Sequence, residues 1–271
     1  MDVDKERRGI QSVEVGGQLL LALAEAGKPM MLKDLARAAG MPPAKAHPYL
    51  VSFGKIGLID QDPLTSRYTL GPLALRLGLI SLQLLDPVRE AQPAIEELAE
   101  KVGQTVVLSV WGNMGPTIIR MIESNTPIHV NLRPGTVMPL INSATGRVFA
   151  AFMPQKAVER LIQGELQRLA GVPPEGRPSW KRIEDTLQEV RRHSLSRAVG
   201  QLISGINGIA APVFDHTNNM VLAITALGPV GTFNADWDGP IAQAVREAAQ
   251  RVSARLGHVP ARAREDAISS T

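Results

Sequence analysis

The sequence predicts an α+β protein: a winged helix-turn-helix module, a linker helix, and a larger α/β domain on a mostly antiparallel sheet. Three observations lead there. Short helical patterns near the start are separated by tight turns and closed by a small hairpin. At Gln104 the patterning changes from helical to strand-rich, and helices are interspersed among the later strands. At 271 residues, 44% hydrophobic and 20% charged, the chain has the length for two domains and the composition of a globular protein.

The first element is "IQSVEVGGQLLLALAEA", Ile10 to Ala26, with Val13, Leu20 and Leu23 at helical spacing before Gly27 and Pro29 stop it. "LKDLARAAG" then sets Leu32, Leu35, Ala36 and Ala39 on one face, and Gly40 suits a left-handed cap. The turn "GMPP" leads into "AKAHPYLVSFGKIG", where Ala46, Leu50, Phe53 and Ile56 line a third helix. Pro48 falls inside that helix, where proline costs about 3 kcal/mol by removing an amide donor and crowding the carbonyl four residues back. Two geometries are open. The helix starts near Pro43 and kinks at Pro48, or it starts at His47 to Pro48; the helix formers Ala44 to Ala46 favour the first. "LIDQDPLTSRYTLG" reads as two strands, Leu58 to Gln61 and Arg67 to Leu70, around a turn with Asp62 and Pro63.

"PLALRLGLISLQLLD" follows as a helix. Its apolar run, Leu73 to Leu85, is interrupted by Arg76 and is shorter than the roughly 20 residues of a membrane span, so it reads as buried. "VREAQPAIEELAEKVG" continues helically to Gly103 despite Pro93. The strand-rich runs are "QTVVLSVWG", "TIIRMIE" and "IHVNL", with "SATGRVFAAFM" a helix before Pro154. A helical pair, the loop "AGVPPEGRPS" and the helix "IEDTLQEVRRHSL" precede the strands "GINGIAAPVFD" and "MVLAITALGP", and a last helix runs from Asp236 to Leu256. The tail from His258 is expected to be disordered.

Charge and motif content exclude several chemistries. Net charge is only +3, yet no acidic residue lies between Asp34 and Asp60 while Arg37, Lys45, His47 and Lys55 do, which allows a locally basic face. Without cysteine there is no disulfide, thiolate nucleophile or Cys-bound zinc. The five histidines are dispersed, phosphate-loop and dinucleotide fingerprints are missing, and "TSR" and "SATG" lack the framing of a nucleophile elbow. No catalytic residue, metal or cofactor is therefore expected. The charged start lacks the pattern of a signal peptide, so a cytoplasmic location without membrane partner is expected. In "PLINSATGRVFAAF" a loop enters a helix whose first amides, near Asn142 to Thr145, suit a carboxylate; equally, Asn142 or Ser143 simply caps that helix.

Four segments resemble the IclR (isocitrate-lyase-regulator) family of bacterial transcription regulators, from about Gly9 to Leu256. They are "LLLALAEAGKPMMLKDLARAAGM", "HPYLVSFGKIGLIDQDPLTSRYTLGPLALRLG", "PLINSATGRVFAAFMP" and "GINGIAAPVFDHTNNMVLAITALGP". The resemblance implies a DNA-binding domain (9–71), a linker helix that takes part in dimerisation (72–86) and a GAF/profilin-like effector-binding domain (87–257), with 258–271 as tail. It implies double-stranded operator DNA, a small organic acid effector, and a homodimer or dimer of dimers as partners. Carried onto this chain, the DNA-facing positions are Lys33, Ala44, Lys45, His47, Tyr49, Lys55 and Arg67; the alternatives are Lys45 as a solvated charge, His47 as a surface histidine satisfied by a neighbour and Tyr49 as a packing residue. The effector-facing positions are Trp111, Asn142, Ser143, Thr145, Gly146, Gln201, Asn207, Gly208 and Thr225, with Trp111 equally readable as an ordinary core tryptophan. Many members carry hydroxyl residues and His-Arg along the reading helix, where this chain has Pro43 to Pro48. Gln201 replaces an often acidic residue, and Gly208 replaces a larger one in some relatives, which implies a roomier, less negative pocket. The alternative to a regulator is a small-molecule enzyme using that pocket.

Overall fold

The computed structural model describes residues 9–124, 132–169 and 178–260, and separates the chain into two compact units, one ending at Leu85 and one of Asp86–Val259. In the first unit, α1 (Gln11–Ala26), α2 (Leu32–Ala38) and α3 (Pro43–Lys55) enclose a core of Leu19, Leu23, Leu35, Ala36, Ala46 and Leu50. Two facing residues differ from the periodicity. Val13 is exposed, because α1 turns Gly16, Leu19 and Ala22 inward instead, and Ile56 is exposed because α3 ends at Lys55. Gly27 and Gly40 take left-handed conformations where the first two helices end.

α3 begins with Pro42 as N-cap and Pro43 in the first helical position, and it runs on through Pro48. Strands β1 (Ile59–Gln61) and β2 (Tyr68–Leu70) form the antiparallel wing, extended by a bridge between Met30 and Tyr68. The wing turn is held by Asp62, whose carboxylate accepts from the amides of Leu64 (2.7 Å) and Thr65 (3.3 Å) and from the Thr65 hydroxyl (2.8 Å). At the end of the wing, Gly71 lies directly on the turn after α3. Its N–H donates to the Leu58 carbonyl, and a side chain there would overlap the Gly57 carbonyl.

α4 (Pro72–Leu84) is a helix, as expected, but it is not buried. In the single chain Leu75, Leu77, Leu79, Ile80, Leu82 and Leu84 are between 42% and 79% exposed, since α4 faces little beyond β1.

The second unit opens with α5 (Pro87–Val102), capped at its start by Asp86 and at its end by left-handed Gly103, and helical through Pro93. Strands β3 (Thr105–Gly112), β4 (Gly115–Ile122), β5 (Ser196–Val199), β6 (Ile206–Phe214) and β7 (Met220–Pro229) form one antiparallel sheet, ordered β4-β3-β7-β6-β5. The expected strand at 128–132 lies almost wholly outside the described residues, as does most of the loop before Pro178. β5 was not anticipated, being a four-residue edge strand.

Helix α9 (Pro240–Arg255) packs on α5 and the sheet, and the exposed pairs Lys101–Glu247 and Arg251–Glu97 join the two helices. Helices α6 (Ala144–Phe152), α7 (Gln155–Arg168) and α8 (Trp180–His193) share a second cluster around Phe149, Ile162, Leu187 and Val190. The expected last helix starts at Pro240 rather than Asp236. His258 is anchored rather than loose: its N–H donates to the Ser253 carbonyl and its ring lies 5.2 Å from Phe214. Residues 261–271 of the expected tail lie outside the described residues.

Candidate functional site

The outer face of α3 follows from its inner one. With Ala46 and Leu50 committed to the core, Ala44, Lys45, His47, Pro48 and Lys55 are exposed. Val51 and Ser52 share that face; sequence reasoning passed over them, although their spacing from Ala44, Pro48 and Lys55 signals it. Lys33 on α2 and Arg67 at the base of the wing are also exposed. Tyr49 takes the packing alternative: its ring lies on α1. A Cβ at Gly16 would stand only 2.9 Å from Cδ1 of Tyr49, so the absence of a side chain at Gly16 accommodates the ring. Arg37 contributes less free charge than expected, since it pairs with Asp34 at 3.5 Å.

In the second unit, the nine expected effector positions do not converge on one site. Trp111 packs 5.9 Å from Phe149 in the core and lines neither cavity considered below. Ser143 is the N-cap of α6: its hydroxyl accepts from the Gly146 amide at 2.8 Å and donates to the Pro139 carbonyl at 2.6 Å, so it is not a spare donor. Gly146 serves the backbone, because any side chain there would overlap Pro139. Thr225 is buried, its hydroxyl paired with that of Thr145 at 2.8 Å.

Ser143, Ala144, Thr145, Asn207 and Gly208 line a small apolar pocket with Leu132, Met138 and Leu227. Its volume is only about 20 Å³, room for roughly one water. The roomier pocket expected from Gly208 is absent: Leu227 reaches over that glycine, to 2.9 Å from where its Cβ would stand. Asn207 donates to the Phe233 carbonyl at 3.2 Å, while its Oδ1 is buried with no partner among the described residues. Neither the Ala144 nor the Thr145 amide hydrogen-bonds to another described group, as the first turn of a helix permits.

Asn142 and Gln201 belong elsewhere. They line a cavity of about 560 Å³ between the start of α6, α8 and β5. There the Arg147 guanidinium donates to the carbonyls of Ile141 (2.7 Å) and Arg197 (2.9 Å) and to the Gln201 side chain. Burial pulls this guanidinium below its ordinary pKa; Glu189 acts against that shift and Arg182 with it. The loop leading to α6 is held by Glu165 of α7, whose two carboxylate oxygens accept from the amides of Leu140 (2.7 Å) and Ile141 (3.0 Å). Sequence reasoning missed Glu165, and no local signal marks it. Among the described residues, no group of three or more His, Asp or Glu side chains is arranged to hold a metal ion, and no helix is long and apolar enough to cross a membrane.

Two domain families match the chain in order: the IclR helix-turn-helix domain over residues 12–63, and the C-terminal domain of the bacterial transcriptional regulator IclR over residues 80–254. The chain belongs to the IclR family. Among curated IclR relatives, the glycerol operon regulatory protein of Streptomyces griseus is 29% identical over 253 residues, covering 92% of this chain and 98% of that protein. KipR, a helix-turn-helix transcriptional regulator of Bacillus subtilis, is 26% identical over 84% of this chain and 90% of its own length. The crystal structure of Pseudomonas aeruginosa HmgR is 35% identical, with a TM-score of 0.83 over 92% of this chain and 99% of that one. IclR membership makes the chain a DNA-binding transcriptional regulator with a helix-turn-helix N-terminal domain and a C-terminal domain on an antiparallel sheet.

Proposed function

We propose that this IclR-family regulator binds operator DNA through α3 and the wing, and that a small organic acid held in its second unit alters that binding. Residues 9–71 read DNA, 72–86 link and dimerise, and 87–257 bind the effector. Lys45 and Lys55 contact phosphate, and His47 approaches base edges or backbone. Lys33 and Arg67 flank them, beside the small residue Ala44. The exposed leucines of α4 support its use in joining two copies, and a dimer would present two reading heads to a partly symmetric site.

The observation that carries the effector reading is the start of α6. Two unengaged amides, Ala144 and Thr145, stand at an electropositive helix terminus on the wall of an apolar pocket that also holds the unpaired Asn207 Oδ1. A carboxylate on the amides and a donor toward Asn207 would satisfy all three groups. A pocket of about 20 Å³ admits such a ligand only if Leu202 and Ile203, in the segment before β6, move aside. That movement is the proposed link between ligand and DNA affinity.

The test is a mobility-shift titration of the full chain on the intergenic DNA upstream of its own gene. Sequence-preferential binding that weakens steeply with salt is expected, as counterion release requires. A panel of short organic acids, read by melting and product analysis together, then separates a regulator, which is stabilised by one acid without turnover, from an enzyme. Absence of a sequence-preferential shift sinks the DNA half; absence of stabilisation by any acid sinks the effector half.

A further inference from the structure

We propose that the larger cavity between α6, α8 and β5 is a second ligand site, one for a small organic anion with a flat apolar body. It shares no lining residue with the pocket at the α6 N-terminus, so the proposal stands apart from the effector reading above.

Four observations carry it. First, the cavity's roughly 560 Å³ lies in the range of pockets that enclose a small organic molecule. Second, its walls carry three arginines, Arg147, Arg182 and Arg197, against a single carboxylate, Glu189. Arg147 forms no ion pair among the described residues, and three of its five N–H groups are engaged, which leaves two for a ligand. A guanidinium taken out of water and held in no ion-pair contact favours an incoming oxyanion, which it can hold through paired charge-assisted hydrogen bonds. Third, Ser196 on the same wall is fully buried, yet its hydroxyl has no partner among the described residues. A buried unpaired hydroxyl is costly, and a ligand oxygen would satisfy it once a small movement of the wall uncovered it.

Fourth, the site offers an aromatic wall. The Arg197 guanidinium lies 4.7 Å from the centroid of the Trp237 ring, and His193 stacks on that ring at 4.2 Å with planes 8° apart. The indole is thus fixed in orientation with those two groups on its face, and the part of it that lines the cavity, with Ile183 and Val190, supplies an apolar wall for the body of the ligand while the arginines take the charge.

The experiment is calorimetric titration of the full chain with benzoate, with inorganic phosphate as the arm that supplies an oxyanion without an apolar body. Benzoate should saturate at one per chain, and phosphate should bind at least about tenfold more weakly. Arg147→Gln should weaken benzoate by more than about tenfold, and Arg182→Gln by roughly three- to tenfold. Arg182 is exposed and its guanidinium makes no hydrogen bond to a described residue, so that variant is expected to fold normally even where Arg147→Gln does not. No saturation by about 10 mM benzoate overturns the site. So does binding indifferent to Arg182→Gln. Phosphate binding as tight as benzoate overturns the apolar body.

Discussion

The hydroxyl of Thr145, in the first turn of α6, lies 2.8 Å from that of Thr225 in the middle of β7, and both side chains are fully buried. This hydrogen bond ties the start of α6 to the sheet beside the amides of its first turn. Thr225→Val keeps the shape but leaves the Thr145 hydroxyl unpaired, and is expected to cost about 1–3 kcal/mol. Replacing both threonines by valine should recover part of that loss. Urea unfolding of the two variants checks the order; a double variant less stable than the single would contradict the assignment.

Glu165 makes the second attachment of the same region, accepting from two successive amides of the loop that enters α6. Glu165→Gln loses one acceptor oxygen and the charge together, so a loss of about 2 kcal/mol is expected from chemical unfolding. If the loop positions the ligand pockets, ligand affinity should fall in the same variant at temperatures well below its Tm.

Tyr49→Phe is expected to leave operator affinity within about twofold, because the ring packs against Gly16. Lys45→Ala should instead weaken binding across all sequences and lower the salt slope by about 1. Mobility-shift titrations at several salt concentrations distinguish the two roles.

Pro48→Arg restores an amide donor for the Ala44 carbonyl on an exposed position, and is expected to stabilise the first unit by up to about 3 kcal/mol. It also adds a cation to the reading face, so operator affinity should rise and the salt slope steepen. Unchanged affinity and slope would place residue 48 away from DNA.

The turn between β6 and β7 carries a pH dependence of known sign. Burial pushes the Asp215 carboxyl up, but hydrogen bonds from the Thr217 hydroxyl and the amides of Thr217 and Asn219 outweigh it, with His216 adding to them, and hold it below its ordinary value of 3.8. A carboxylate depressed in the folded state contributes stability that is complete above 3.8 and is lost as pH falls below it. Asp215→Asn should therefore be less stable than the parent at neutral pH, with the difference shrinking in acid, as unfolding curves from pH 7 to pH 2 would reveal.

How much of this was legible in sequence depends on the range of the interactions involved. The helix-turn-helix and wing were readable because they are written in local periodicity and turn residues, and Pro43 at the helix start followed from propensity alone. Val13 and Ile56 fit the helical spacing, but the burial of Gly16 and the early end of α3 leave both exposed. The effector positions mixed two cavities, since Asn142 and Ser143 are neighbours in sequence that face different spaces. Arg147, Arg182 and Arg197 come from three separate elements, and the four residues of β5 that bring one of them in carry no strand signal of their own.

The contact of Gly71 on Gly57 has a mechanical meaning. Backbone rests on backbone there, the Leu73 amide adds a hydrogen bond to the Gly57 carbonyl, and no side chain intervenes to deform. A rotation applied to α4 therefore reaches the wing and the end of α3 without slack, as torque on a lever with a stiff joint. Even a methyl group at position 71 would overlap the Gly57 carbonyl and so misalign α4 against the wing and the turn after α3.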